Sequence, residues 1–279
     1  GALLAACERK VVLAAVLTGL AVASKQWALL VVLPVLLVLE RERLRAALVM
    51  LAVGAGSTLP MVVGNFAAFR HALHYISSPQ PVTTLFTWLY PFSPTGTVHI
   101  SNIFGDDRSF SAHTVPAVVS TVAHPLIIIL GVVVPLLVWW RAGRHLSVKA
   151  MLLATALVFV LRCALDPGSA AYYHFPLLLT LVALDATAGR RVPVAGLIGA
   201  AGAFMVLDRF PSYIGEDAAN LLYILATVIA AALLVRELRV LGLSRRLDGD
   251  GPGGGLVQAV RRRDADRDLH RQAAEALQQ

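Results

Sequence analysis

Residues 11–39 read VVLAAVLTGLAVA, then SKQW at 24–27, then ALLVVLPVLLVL, a run of 29 residues whose one charged side chain is Lys25. As a single helix this run would be roughly 43 Å long at 1.5 Å per residue, against a hydrocarbon core of about 30 Å. One straight span is therefore too long. Split at Ser24-Lys25-Gln26-Trp27, the run becomes two short arms, Val11 to Ala23 and Ala28 to Leu39. Glu8-Arg9-Lys10 flanks one arm and Glu40-Arg41-Glu42-Arg43 the other, and both basic flanks belong on the cytoplasmic side. The run thus reads as a broken helical hairpin that enters and returns. Its tip carries Lys25 near the opposite face, where non-helical backbone has to line protein or a cavity. A single tilted span with Lys25 snorkelling is the alternative. Either way, a full charge at membrane depth is a functional candidate by default.

The composition puts this hairpin in a membrane protein. Hydrophobic residues make up 57% of the chain and charged ones 15%, with a mean hydropathy of +0.72, which excludes a soluble domain built on one large core. The net charge of +7 and the pI near 9.9 come from basic residues at the ends of apolar segments and in the tail. That is a topology signal, and no nucleic-acid partner is expected. Cys7 and Cys163 fall on opposite ends of the proposed topology and cannot pair. Only three lysines accompany 21 arginines, so a lysine at the hairpin tip stands out. A compact ammonium on a flexible stem suits a point contact to phosphate or a sugar hydroxyl, whereas Arg brings a planar fork. The first residue is Gly1, and no signal-peptide cleavage pattern follows it, so the expectation is a protein lacking its N-terminal part.

Beyond the hairpin, apolar segments run from Leu44 to about Asn65, Val115 to Trp140, Ala150 to Leu165, Ala170 to Ala186, Val192 to Leu207 and Ala218 to about Leu241. A bend is expected at His124-Pro125 and an interfacial anchor at Trp139-Trp140. Ala195, Gly199 and Ala203 follow the small-xxx-small spacing of close helix contact. Residues 66–114 form a long outer segment rich in prolines, aromatics and histidines, too aromatic for disorder and too long for a plain connection. The fold class is therefore all-α, a polytopic transmembrane helical bundle with a broken helical hairpin and a long outer-face loop. Residues 1–241 form the transmembrane domain and 242–279 a basic cytoplasmic tail, with a Gly-rich linker at 249–255 and helix near Asp264 to Leu277.

Placing the hairpin flanks inside puts 19 of the 24 Lys/Arg residues on the cytoplasmic side, as the positive-inside rule requires. The hairpin tip, the 66–114 segment, the Asp166 turn and the loop from Asp208 to Asp217 then share the outer face. Lys25, Gln26, His124, Arg162, Asp166, Tyr172, Tyr173 and His174 gather at that one depth, where polar residues are costly in lipid. Arg162 lies four residues before Asp166, so on a helix the two can pair, a structural reading of equal weight. An aromatic belt accounts for at least one of the tyrosines. His174 at an interface can donate to an anionic group or relay a proton. His71 and His74 lack further ligands, and Asp106-Asp107 reads as a loop turn. No metal or cofactor is called for.

The stretch Gly19-Leu20-Ala21-Val22-Ala23-Ser24-Lys25-Gln26-Trp27-Ala28-Leu29-Leu30 with Pro34 resembles a pattern of the GT-C superfamily of membrane glycosyltransferases. Arg162, Asp166-Pro167, Tyr172-Tyr173 and Pro176 resemble the C-terminal half of the actinobacterial polyprenyl-phosphate-mannose-dependent mannosyltransferases of that superfamily. The order, separation and shared face of the two motifs strengthen the match, which covers roughly residues 11–190.

The resemblance implies a hexosyltransferase in the plasma membrane with its active site at the outer face. A polyprenyl-phosphate sugar, mannose foremost, is the implied donor, a glycolipid or polysaccharide precursor the acceptor, and transfer inverts the anomeric centre without a nucleotide-sugar site. The superfamily's general base lies in a first outer loop that has no counterpart here, so it is expected upstream and is carried onto none of Asp106, Asp107 and Asp166. Lys25, Gln26, Arg162, Asp166, Tyr172, Tyr173 and His174 remain as candidates for binding the donor phosphate or substrate. Lys25, Arg162 or His174 is suited to the charge developing on the leaving phosphate, and aromatics of 66–114 to the sugar faces or the prenyl groove. The expected arrangement is one cavity, with Lys25 and the 166–174 turn facing each other under a roof made by 66–114. A transporter or lipid flippase and a non-catalytic scaffold are the rival readings; the lack of an internal repeat weighs against the first.

Overall fold

The computed structural model describes residues 1–77, 83, 86–101, 107–142, 147–168, 170–189 and 191–247. They fall into two units, 1–235 and 236–279; of the second, the described residues 236–247 are helical. The expected linker and tail helix after 248, together with Asp106, lie outside the described residues.

The hairpin is broken where the charge interrupts it. Helix α2 (Val11–Ser24) stops at Lys25, whose backbone is extended (φ −151°, ψ 120°). A single 3-10 turn, Gln26–Ala28, then leads into α3 (Leu29–Val38). The chain does return: Ala14 and Ala15, early in α2, share one buried cluster with Val35 and Leu39 at the far end of α3, which no continuous helix allows. A short helix, α1 (Ala2–Cys7), contributes Ala5 and Ala6 to the same cluster. The tilted-span alternative therefore falls.

Helix α4 (Arg43–Gly64) packs along α2. The contact is close because Gly19 has no side chain. A Cβ there would lie 2.8 Å from the Met50 carbonyl oxygen and 2.9 Å from Val53 Cβ. At the end of the bundle away from Lys25, Arg43 donates to the Leu36 and Leu37 carbonyls at 3.0 and 3.3 Å and lies 5.7 Å from the Trp139 ring. It thereby satisfies carbonyls that the end of α3 leaves without intrahelical partners.

The 66–114 segment holds more regular structure than a loop. Asn65 Oδ1 accepts from the Ala68 amide at 2.9 Å and starts α5 (Phe66–Ser77). Farther on, β1 (Thr95–Ser101) pairs antiparallel with β2 (Asp107–His113), with Thr95 opposite His113 and Ser101 opposite Asp107. Asp107 thus sits in a strand, where the sequence pointed to a turn.

Helices α6 (Ala117–Ala142) and α7 (Val148–Leu165) follow. Helix α6 runs through His124-Pro125 and Pro135 as one element. Apart from Lys149, Thr155 and Arg162, helix α7 is apolar on every face, and it is the buried centre of the unit, in contact with α3, α6 and α8, as a helix without a polar stripe should be. After a 3-10 turn at Ala171–His174 comes α8 (Phe175–Thr187), 13 residues long and so short for a span. Against it packs α9 (Val194–Phe204). The close approach uses Gly196 and Gly199, since a Cβ at Gly196 would collide with Val182 and one at Gly199 would meet Leu181 at 2.9 Å. Gly196, one position beyond Ala195, is thus the residue on this face.

The expected loop from Asp208 is mostly helix. A π turn at Met205–Arg209 leads into α10 (Phe210–Ile214). Pro211 explains the bulge: a proline clashes with the carbonyl four residues back and lacks an N–H, and a widened turn accommodates both. Gly215, at φ +86°, makes the reversal into α11 (Glu216–Leu247).

Among the described residues, five helical stretches are long and apolar enough to cross a membrane: 43–64, 121–142, 148–165, 194–214 and 216–241. Among the described residues the protein is an all-α polytopic bundle with one added β hairpin. Its spans expose leucine, valine and isoleucine side chains widely, as a lipid-facing surface does.

Candidate functional site

The hairpin tip, the start of α6, the end of α7 and the 3-10 turn before α8 converge. Arg162 lies one turn from the end of α7, only 2% exposed. Its guanidinium carbon sits 3.9 Å from the Tyr173 ring centre and 4.6 Å from that of Trp27, so it is stacked between the tip and the turn. One amino group donates to Asp166 Oδ2 at 3.1 Å and the other to the Tyr173 carbonyl at 3.3 Å. Among the described residues, the buried Arg162 Nε has no hydrogen-bond partner.

Asp166 is the hub of this arrangement. It is 3% exposed, and its Oδ1 accepts from the Gly168 amide at 3.0 Å and lies 3.6 Å from His124 Nε2. His124 in turn meets the Trp27 ring edge-on, centroids 5.3 Å apart. The i, i+4 spacing read from the sequence is thus realised as a buried ion pair; its polar contacts run to the Tyr173 carbonyl, the Gly168 amide and His124, and the Arg162 stack on Trp27 reaches the tip.

Lys25 is different. It is exposed, and its Nζ lies 4.9 Å from the Tyr172 ring centre and 5.6 Å from that of Tyr173. Among the described residues, no carboxylate is paired with it. Tyr172 and Tyr173 contact each other edge to face at 4.4 Å. Gln26, exposed, opens the 3-10 turn beside them.

His174 faces elsewhere. It is 6% exposed, with Nδ1 3.2 Å from the Ala171 carbonyl and Nε2 3.0 Å from the Tyr223 hydroxyl of α11. It joins a set of contacts that fasten α11. The Thr87 hydroxyl donates to the Ala164 carbonyl at 2.8 Å, Asn220 Nδ2 to the Thr87 carbonyl at 3.0 Å, and Trp88 Nε1 to the Thr227 hydroxyl at 2.7 Å. The Tyr90 hydroxyl donates to Glu216 at 3.2 Å, and burial, with that carboxylate beside it, pushes the phenol up to about 12.

Lys25, Arg162, Tyr172 and Tyr173 line one end of a cavity of about 650 Å³. From there it runs between the hairpin and helices α7 and α8. Leu17, Thr18, Ala21 and Val31 form one wall; Leu152, Thr155 and Phe159 of α7 with Phe175, Pro176, Leu179 and Ala183 of α8 form the other. From Arg162 to Leu152 is ten residues of helix, about 15 Å. Ala2, Leu3 and Leu4 line it as well. Cationic at one end and apolar along its length, it has the chemistry to hold a phosphate joined to a hydrocarbon chain.

No described lining residue is an Asp or Glu, and none comes from the described part of 66–114, so that part does not roof the cavity. Thr87, Trp88 and Tyr90 of that segment bond to α7 and α11 instead. Trp27, which sequence reasoning had given no role of its own, turns out to join the tip to both Arg162 and His124. Its one sequence signal was its place two residues after Lys25. The apolar walls gave none, because any span supplies such residues. Among the described residues, no three His, Cys, Asp or Glu side chains are grouped as metal ligands.

No curated protein and no solved structure matches the chain. The model of one family does, over residues 1–165: it is described as glycosyltransferase family 87.

Proposed function

The chain belongs to glycosyltransferase family 87, and from that premise we propose that it takes a hexose, mannose foremost, from a polyprenyl-phosphate donor and passes it to a glycolipid or polysaccharide acceptor. The family favours the enzyme over the transporter and scaffold readings. The observation that carries the donor assignment is Lys25, an ammonium unpaired with any carboxylate among the described residues, at the mouth of an apolar cavity.

In this reading the acceptor oxygen attacks the anomeric carbon as the bond from that carbon to the phosphate oxygen breaks. The bonding pair leaves with the polyprenyl phosphate, and Lys25 meets the charge that develops there. Tyr172, Tyr173 and Gln26 surround the head group. Arg162 and Asp166 act as positioning residues, since the two Arg162 amino groups and both Asp166 oxygens are engaged with each other, with the turn and with His124, and His174 fixes α11. The base that takes the hydroxyl proton is assigned to no residue of this chain. The reading follows the GT-C resemblance in placing the site at the outer face of the plasma membrane and the residues from 242 onward, as a basic tail, in the cytoplasm. The excess of Lys/Arg on the hairpin flanks and in the tail supports that placement.

The test is transfer from polyprenyl-phosphate mannose in membranes holding wild type or Lys25→Ala. Loss of one charge-assisted phosphate contact should cost about 1.5–3 kcal/mol, roughly a ten- to hundredfold fall in rate. Activity equal to wild type would remove Lys25 from the site.

A further inference from the structure

We infer that Tyr172 reads the sugar of the donor: its open ring is the platform on which the pyranose stacks while Lys25 holds the phosphate. The inference rests on the donor reading above and assigns the specificity within it. Among the described residues, five aromatics line the cavity, and they differ in what their rings already touch. Tyr173 carries the Arg162 guanidinium at 3.9 Å, and Trp27 is held between Arg162 and His124. Phe159 is 4% exposed. Tyr172 and Phe175 are each 60% exposed, and of these two Tyr172 is the one with the Lys25 ammonium over its ring, at 4.9 Å.

The sugar of such a donor is joined to phosphorus through a single oxygen. A phosphate on Lys25 Nζ therefore brings the pyranose to the Tyr172 ring and leaves Phe175, at the start of α8, to the lipid part. A pyranose offers a face of C–H bonds polarised toward hydrogen, and an aromatic ring offers a negative face to receive it. The edge-to-face contact with Tyr173 fixes the ring's tilt, so the platform is set before the donor arrives.

The experiment measures binding of three lipids to the full chain in nanodiscs: polyprenyl phosphate and the same lipid bearing mannose or glucose. Wild type should bind at least one sugar-bearing lipid more tightly than the sugar-free lipid. Tyr172→Leu should lower that affinity about tenfold while changing sugar-free binding less than twofold, and Tyr172→Phe and Tyr172→Trp should keep the preference. Lys25→Gln should weaken all three lipids by the same factor. Wild-type binding that ignores the sugar, an equal effect of Tyr172→Leu on all three lipids, or no effect on any, would each overturn the inference. If Lys25→Gln weakens none, the donor reading fails, whatever the Tyr172 variants do. Thermal unfolding of each variant confirms that the fold is intact, and Tyr172→Gln, equally without an aromatic ring, is read in the same way if Tyr172→Leu does not fold.

Discussion

Two cations flank the Tyr173 ring, and they differ in what else they touch. Arg162 is buried and paired with Asp166; Lys25 is exposed and, among the described residues, lies over two tyrosine rings and is paired with no carboxylate. Removing one partner of a buried pair leaves the other charge uncompensated, at about 3–5 kcal/mol, whereas losing an exposed, unpaired ammonium costs little. Arg162→Leu should therefore lower the unfolding temperature in detergent by several degrees, and Lys25→Ala should leave it near wild type. Equal unfolding temperatures for Arg162→Leu and wild type would show that the stack does not hold the tip to the turn. Lys25 was legible in the sequence because a charge inside an apolar run is conspicuous, and the Arg162–Asp166 pair because its spacing is helical. The guanidinium between Trp27 and Tyr173 was not, since it depends on segments far apart in the chain.

At the level of elements, the spans and the broken hairpin were legible from run length and flanking charge, because the bilayer fixes both. The 66–114 segment was not: α5 and the β hairpin are short, and no membrane thickness dictates their length. Nor was the helical course of 205–214, where Pro211 invited a break and the backbone accommodated it with a π turn. The charge distribution predicts that the 66–114 segment lies outside and the tail inside. With Cys7 and Cys163 replaced by serine, a cysteine at the exposed Phe92 should react with a membrane-impermeant maleimide in intact cells, and one at Ser244 should react only after lysis. The reverse pattern would overturn the orientation.

Across the whole described unit, α7 forms the centre, and the hairpin with α1 stands against it on one side and α8 on another. The cavity exists because the hairpin returns before crossing: its arms are held together at the end where Ala14, Val35 and Ala46 cluster, and its tip leans on the 166–174 turn. That space could not be read from the sequence, since it depends on how far three helices stand apart. The central claim is that this space receives the lipid phosphate, and a polyprenyl phosphate carrying a diazirine in its first isoprene units tests it most directly. After irradiation in nanodiscs, mass spectrometry should find the label on cavity residues such as Phe159, Phe175 and Leu179, and less of it there in Lys25→Ala. Label confined to lipid-facing residues such as Leu51, Val63 and Leu197, and unchanged by Lys25→Ala, would contradict it.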